Sequence, residues 1–488
     1  MQKRTGTVVA AMALLAGCCC EVFGKQYEPA WESLTKHPAA RWFDDAKFGI
    51  YFHWGPYSVP AYDNEWYSRN MYQERSQAYA HHVKKYGHPS KFGYKDFIPM
   101  FTAEKFDANE WAELFAEAGA RFAGPVAEHA DGFAMWDSDV THWDAAEMGP
   151  KRDVVGEMAK AVRNRGMKFV VTFHHGWNWG WYPTCDKRYD TSDANYMGLY
   201  GYPFPKGSDR RKVTDERFFV EWHAKVKEVI DKYQPDLIYF DSRLGIIDEK
   251  YRKDFLSYYY NQSQKWGKEV VVTYKGKDLP ERAGIVDIER GRMGGLTAYK
   301  WMTDDSIDWK SWGYIEDANY KSADRLVDEL VDIVSKNGSL LLNINPKANG
   351  EIPAPVRERL LEIGQWLKIN GEAIYGTRPW RICCEGPTQV KEGMFGEKNI
   401  GEFTSADIRF TTKGRTLYAI CLDWPKETVL IKSLGIGSDV YPEKIGAVRL
   451  LGFGGELKWS RDAEGLKIQM PLQKPCEHAF VFKIEPNM

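Results

Sequence analysis

The stretch PDLIYFD, residues 235–241, is a short apolar run that ends in a carboxylate, Asp241. It contains one of seven short β-rich runs, which lie at 48–52, 121–127, 168–173, 236–240, 269–273, 284–288 and 339–343. Longer amphipathic stretches lie between them, and at 107–120 and 215–233 the apolar residues recur at helical spacing. This alternation predicts a parallel sheet whose strands are joined by helices. About eight such units over roughly 330 residues favour a (β/α)8 TIM barrel.

Polar residues follow four of these runs directly. They are His53 and Trp54, then Glu128 and His129, then His174 and His175, and finally Asp241. The carboxyl ends of the strands form the active face of such a barrel. Polarity begins at any strand end, which would explain one or two of these cases but hardly four in succession. The pattern therefore predicts an active site at this face.

Beyond residue 367 the pattern changes to short alternating runs, most of them separated by Gly, Pro, Asn or Asp. They lie at 407–411, 416–422, 428–431, 447–451, 466–470 and 479–484. Such runs predict a small antiparallel β-sandwich. We therefore expect a barrel over 25–370 and a sandwich over 371–488.

The N-terminus has the features of an export signal. Lys3 and Arg4 precede an apolar run at 8–17, which is too short to span a bilayer. The residues LAGC at 15–18 resemble a bacterial lipobox, which would place a lipid anchor on Cys18; the alternative is ordinary cleavage after Gly24. In both cases we expect 1–24 to be a signal peptide and the protein to be periplasmic, anchored to the outer membrane or extracellular. No later segment is long and apolar enough to predict a membrane span.

Composition excludes some classes of partner. The chain has 488 residues, and 66 Lys and Arg balance 68 Asp and Glu to a net charge of -2. This gives no electrostatic basis for binding nucleic acid or an anionic membrane.

Five of the eight cysteines follow the signal segment, without regular spacing or a CxxC pair, so neither a disulfide framework nor a cysteine metal site is predicted. The 14% aromatic content suits either stacking on sugar rings or large cores. The oligomeric state is not determined by the sequence.

Two acidic residues at strand ends are candidates for glycoside hydrolysis, which in a retaining enzyme needs two carboxyl groups about 5–5.5 Å apart. Asp241 follows two aromatic residues at the expected rim of the barrel. A residue that caps the strand end or forms an ion pair would give the same pattern. Glu289 ends the run VDIE, and its neighbour Arg290 would either hold it ionised or hydrogen-bond it. We expect Asp287 to point to the opposite face of this strand.

The chain resembles the α-L-fucosidases of glycoside hydrolase family 29 in six blocks that occur in the same order. They are AKFGIYFHWGPYSVPAYDNEWYSRNMY (46–72), EHADGFAMWDS (128–138), PDLIYFD (235–241), SWGY (311–314), SKNGSLLLNINPKANGEIP (335–353) and GEAIYGTRPW (371–380). The first and fifth blocks are specific enough to stand alone. With the export signal, the resemblance implies a secreted bacterial α-L-fucosidase with a catalytic barrel and a β-sandwich. Its substrate would be a fucosylated oligosaccharide or glycoconjugate, and it would need no cofactor.

The resemblance also implies roles for individual residues. Asp241 matches the nucleophile. Glu289 is the candidate acid/base, at a position that varies within the family. The positions that match sugar-binding residues, or fall near them, are His53, Glu65, Trp66, His129, His174, Tyr239 and Trp312. Such a set suits fucose, since the 6-methyl group needs an apolar wall and the three hydroxyls need polar partners.

The chain departs from the family pattern at several positions. Ala130 replaces the second residue of the usual His-His pair, so one contact to a sugar hydroxyl is missing; His174, roughly where the family often has Tyr, or His175 would supply it. Lys275 or Lys277 stands near a position where Arg is common, and Ser242 follows Asp241 where Gly is common. These changes affect the residues expected to set substrate preference and efficiency, and they leave Asp241 in place.

Two other functions are alternatives to the α-L-fucosidase activity that the resemblance implies. A metal site would draw on His53, His129, Asp131, His174 and His175, but no HExxH motif is present and adjacent histidines diverge on a strand, so we expect no metal. A carbohydrate-binding protein on an inactive barrel is favoured by Ala130 and opposed by the retained acids.

Each of two further regions has two alternative roles. The loop GWNWGW at 176–181 either binds glycan or is a packed lid. The sandwich either binds glycan or braces the barrel, and the absence of an aromatic stripe favours bracing.

Overall fold

A computed structural model of the protein describes residues 26–487. The predicted signal peptide, including Cys18, lies outside these residues. Within 26–487, the helices are too short or too polar for any of them to cross a bilayer.

Eight parallel strands form a closed barrel in chain order, which confirms the predicted fold class. The strands are β1 (Phe48–Phe52), β2 (Phe122–Glu128), β3 (Lys168–Phe173), β4 (Leu237–Phe240), β5 (Val271–Lys275), β6 (Ile285–Asp287), β7 (Trp301–Ser306) and β8 (Gly338–Ile344). The barrel closes where β1 pairs with β8, with Gly49 opposite Leu341. Most of these strands are continuous apolar runs because parallel strands are buried on both faces.

Helices connect and surround the barrel strands. They are α1 (Trp31–Leu34), α2 (Arg41–Ala46), α3 (Tyr67–Asn70), α4 (Gln77–Lys85), α5 (Ala108–Glu117), α6 (Val154–Asn164), α7 (Met197–Tyr200), α8 (Glu216–Tyr233), α9 (Glu249–Trp266), α10 (Ala323–Ser335) and α11 (Ala354–Asn370). The two helical stretches predicted from periodicity correspond to α5 and α8. Each begins after an aspartate, Asp107 or Asp215, whose side chain accepts hydrogen bonds from backbone N–H groups of the first turn.

Strand β7 is absent from the seven predicted runs. Its sequence, WMTDDS, contains two acids, yet all six residues are buried. Lys275 lies 3.3 Å from Asp304, and Lys321 lies 2.7 Å from Asp305. Both lysines are distant in sequence, so the chain gives no local sign that this polar run is a core strand.

The C-terminal region forms the predicted sandwich of two antiparallel sheets. Its strands are β9 (Arg378–Glu385), β10 (Ile408–Lys413), β11 (Thr416–Cys421), β12 (Thr428–Ile431), β13 (Ile445–Leu450), β14 (Trp459–Arg461), β15 (Leu466–Gln469) and β16 (Phe480–Pro486). The sheet orders are β13-β16-β11-β10-β9 and β12-β15-β14. One apolar core joins both sheets, with Phe410 and Phe482 from the first and Ile431 and Ile468 from the second. Only β9 and β14 were not among the predicted runs.

Candidate active site

Four side chains that directly follow β1 to β4 converge at the carboxyl end of the barrel. They are His53, His129, His174 and Asp241. The ring centroids of His53 and His129 are 5.3 Å apart, and those of His129 and His174 are 4.8 Å apart. His174 Nδ1 lies 3.2 Å from Asp241 Oδ2. The structure thus brings together the strand-end residues that the sequence indicates.

Lys275, the last residue of β5, joins the two candidate catalytic acids. Its Nζ lies 3.1 Å from Asp241 Oδ1 and 2.6 Å from Glu289 Oε2. These two oxygens therefore cannot be more than about 5.7 Å apart, the sum of the two distances. This limit is compatible with the spacing of a retaining pair. The lysine side chain is 2% exposed, so its charge acts with little solvent screening.

The environment shifts the pKa values of the two acids in opposite directions. Burial alone would raise the pKa of Asp241, but Lys275 and then His174 outweigh it, and the pKa lies well below its usual range. Burial raises the pKa of Glu289, the attraction of Lys275 lowers it, and the charge of Asp241 raises it. The net result is a pKa of about 7. Near neutral pH, Asp241 is therefore ionised while Glu289 holds its proton for part of the time.

Two further acids complete the surroundings of Lys275. Asp304 lies 3.3 Å and Asp287 3.8 Å from its Nζ. The expectation that Asp287 points away from Glu289 is wrong, because both carboxylates contact Lys275 Nζ, at 3.8 and 2.6 Å. Asp304 is held in place by the hydroxyls of Tyr51 and Tyr239, which donate to Oδ2 at 3.1 and 3.0 Å.

Glu65 and Trp312 are coupled in one wall of the site. The Trp312 backbone N–H donates to Glu65 Oε2 at 3.0 Å, and burial raises the pKa of Glu65. The Trp312 ring lies 5.4 Å from that of His53, and the Arg290 guanidinium stands 4.5 Å from the centre of the Trp312 ring. An acceptor, an aromatic face and a cation thus meet at one edge of the pocket.

The tryptophan-rich loop joins the site through Trp66. The ring of Trp66 lies 5.1 Å from that of Trp177 and 4.7 Å from that of Trp181. Trp181 is in turn 6.2 Å from the ring of His129. The loop 176–181 is therefore part of the pocket surroundings.

The adjacent residues His174 and His175 diverge, as the sequence indicates. His175 Nδ1 bonds Glu128, which also accepts a hydrogen bond from Lys225 Nζ at 3.2 Å. Ala130 is buried and leaves no side-chain donor at its position. Of the two histidines that the sequence offers as a replacement, the structure places His174 in the site.

Three of the five residues considered for a metal site come together. Nitrogen atoms of His53, His129 and His174 all lie within 4.8 Å of one another. Asp131 instead accepts a hydrogen bond from the Tyr94 hydroxyl at 2.6 Å, and His175 faces Glu128. The remaining set is an all-nitrogen cluster.

A segment between β9 and β10 returns to the barrel and contacts the backbone around Glu289. The Phe395 N–H donates to the Glu289 carbonyl at 2.8 Å, and the Glu397 N–H donates to the Arg290 carbonyl at 3.1 Å. The Arg290 guanidinium also lies 3.3 Å from the Glu397 carboxylate. Nothing in the sequence predicts this contact, because the segment resembles neither the apolar runs of the barrel nor the alternating runs of the sandwich.

Comparisons with known proteins agree with this architecture. The family model Alpha-L-fucosidase matches residues 15–372, and the model Alpha-L-fucosidase C-terminal domain matches 401–485. The tissue alpha-L-fucosidase of Rattus norvegicus is 34% identical over 474 residues, which cover 94% of this chain and 92% of that protein. The Thermotoga maritima alpha-fucosidase has a TM-score of 0.76 at 33% identity, covering 94% of this chain and 100% of that one. Its structure in complex with fucose has a TM-score of 0.74 at 32% identity, with the same coverage.

Proposed function

Because this chain belongs to the alpha-L-fucosidase family of glycoside hydrolases, we propose that it removes terminal α-L-fucose from glycans with retention of configuration. The observation that carries the mechanism is the position of Lys275 between Asp241 and Glu289. This arrangement keeps one acid ionised and lets the other keep its proton, which are the states that a retaining hydrolase needs.

In the first step, Asp241 attacks the anomeric carbon of the fucosyl group. The charge of Lys275 and the contact with His174 keep the carboxylate ionised. Glu289 donates its proton to the glycosidic oxygen, so the aglycone leaves as an alcohol and a fucosyl ester forms on Asp241. A pKa of about 7 suits Glu289 to this donation at neutral or mildly acidic pH.

In the second step, Glu289 is a carboxylate and acts as a base. It takes a proton from water, whose oxygen attacks the anomeric carbon and displaces Asp241. Two inversions give net retention, and both acids return to their starting states. Lys275 contacts both carboxylates and so balances the charge that passes between them.

The sugar is held by the remaining residues of the pocket. His53, His129 and His174 offer ring nitrogens that can donate to or accept from hydroxyls, and Glu65 offers a buried acceptor. Trp66 and Trp312 supply the aromatic surface that the 6-methyl group requires. Tyr239 is 0% exposed and lies beneath the pocket, where its hydroxyl donates to Asp304. The fucose complex of the Thermotoga maritima relative supports fucose as the bound sugar.

We also propose that residues 1–24 direct export and that Cys18 carries a lipid anchor, which would make this a secreted bacterial enzyme. These proposals rest on the sequence of that segment alone. Growth with a labelled fatty acid tests the anchor. Label in the wild type and none in Cys18→Ala would support it, and an unlabelled wild type cleaved after Gly24 would contradict it.

A second candidate function is fucosyl-glycan binding without catalysis, and the buried Ala130 in place of the usual histidine favours it. Turnover of an aryl α-L-fucoside, followed by proton NMR of the first-formed sugar, separates the two. Release of α-L-fucose supports the retaining hydrolase. Release of β-L-fucose would refute retention, and tight binding without turnover of aryl or natural fucosides would establish the binding protein.

A further inference from the structure

The spacing of three imidazole rings at the end of the barrel matches that of a metal site. The ring centroids of His53, His129 and His174 are 5.3, 5.0 and 4.8 Å apart in the three pairs. Three imidazoles on a tetrahedral Zn²⁺ ion, with Zn–N bonds of about 2.0–2.1 Å, have ring centres about 5 Å apart. Nitrogen atoms of the three rings lie within 4.8 Å of one another, so the rings must rotate to reach the spacing of about 3.3 Å that ligand atoms have on one tetrahedral ion.

Neighbouring groups already orient two of these rings. Asn343 Oδ1 lies 2.8 Å from His53 Nδ1, and Asp241 Oδ2 lies 3.2 Å from His174 Nδ1. A metal-binding histidine usually gives its other N–H to such an oxygen, which fixes the tautomer and leaves the opposite nitrogen free. Both partners thus favour Nε2 of His53 and His174 as ligand atoms.

Two ring nitrogens of this cluster have no partner in the described part of the chain. Neither His174 Nε2 nor His129 Nδ1 has a hydrogen-bond partner within residues 26–487, although both are buried. Unpaired imidazole nitrogens are the groups that bind a transition metal ion.

We propose that His53, His129 and His174 form a binding site for a divalent transition metal ion such as Zn²⁺, and that the ion occupies the sugar pocket as an inhibitor. The ion has no part in the proposed hydrolysis. Because the same nitrogens face the sugar hydroxyls in the proposed function, ion and fucose exclude each other. That competition rests on the proposed function, whereas the binding of the ion does not.

His174 is the departure from the family pattern on which the proposed site depends. A tyrosine at that position would leave two imidazoles, and the neighbouring Ala130 offers no ligand. Within residues 26–487, no second cluster of three or more His, Cys, Asp or Glu side chains has ligand atoms this close together. Loss of His174 should therefore remove the site rather than shift the ion to a similar one nearby.

The test is Co²⁺ and Zn²⁺ binding to the metal-free, full-length protein. Co²⁺ should give the intense visible bands of a four- or five-coordinate ion, and calorimetry should give one Zn²⁺ per chain. His174→Phe should weaken Zn²⁺ binding at least about 100-fold, while Asp241→Asn, which keeps all three ligands, should weaken it about 10- to 100-fold. The control His142→Phe, at an exposed histidine, should bind as the wild type does.

Excess L-fucose should displace the bound Co²⁺ and restore the spectrum of the hydrated ion. The proposal is overturned if Co²⁺ keeps that hydrated spectrum throughout, or if His174→Phe and Asp241→Asn both bind Zn²⁺ like the wild type. It is also overturned if fucose binds without displacing the ion. A protein that binds Co²⁺ through His174 but cleaves no fucoside supports the metal site and refutes the proposed hydrolysis, so the two failures are distinct.

Discussion

Replacing Lys275 by Met should move the pH dependence of hydrolysis to higher pH on both sides. The substitution keeps an unbranched side chain that is one atom shorter and removes the charge that contacts Asp241 and Glu289. Without it, the Asp241 carboxylate accepts a proton more readily, so activity should be lost at a higher pH on the acidic side. Glu289 holds its proton more tightly, so its basic limb should rise above about 7.

The distances give the size of the effect. At 3.1 Å and an effective dielectric constant of 20, the attraction between Lys275 and Asp241 is about 5 kcal/mol. Since each pKa unit corresponds to about 1.4 kcal/mol, the acidic limb should rise by at most about four pH units. Removal of the lysine also leaves Asp287 and Asp304 without their cation, and breaking such buried pairs costs about 3–5 kcal/mol of stability.

The assay is kcat/KM for an aryl α-L-fucoside across the pH range, with thermal unfolding as a check on folding. Lys275→Arg, which keeps the charge, serves as the control and should retain the wild-type acidic limb. The reasoning is refuted if folded Lys275→Met shows both limbs at their wild-type positions.

Three other substitutions test separate parts of the site. Glu289→Gln should lower kcat/KM for a natural fucosylated glycan by about 10²- to 10⁴-fold and abolish the basic limb near pH 7; persistence of that limb would assign it to another group. Glu65→Ala should raise KM by roughly 5- to 150-fold, because a buried acceptor worth about 1–3 kcal/mol is lost, whereas Glu74→Ala at an exposed position should not. Glu397→Gln should destabilise the fold by about 3–5 kcal/mol in chemical denaturation, since it neutralises the buried partner of Arg290, and it should lower kcat; unchanged stability would show that this ion pair does not anchor the segment.

Most of the fold follows from local sequence pattern. Strands such as β4 are apolar throughout because both of their faces are buried, and α8 repeats its buried residues at helical spacing. The local sequence pattern does not predict strand β7, because Asp304 and Asp305 give this segment the composition of a loop. Their cations, Lys275 and Lys321, come from other parts of the chain, and only the closed barrel brings them together.

The site was predictable where a residue directly follows a strand, as with His53, His129, His174 and Asp241. The choice between His174 and His175 was not, because it depends on the backbone turn after β3. The central position of Lys275 and the contact of Phe395 with the Glu289 backbone both depend on distances across the fold. No local sequence pattern predicts such distances.

The central claim is that Asp241 forms a covalent link to fucose, and azide rescue of Asp241→Gly tests it most directly. The variant should be almost inactive on an aryl α-L-fucoside, and added azide should restore release of the phenol with formation of β-L-fucosyl azide, the product of a single inversion. Formation of α-L-fucosyl azide, or wild-type turnover by the variant without azide, would contradict the account.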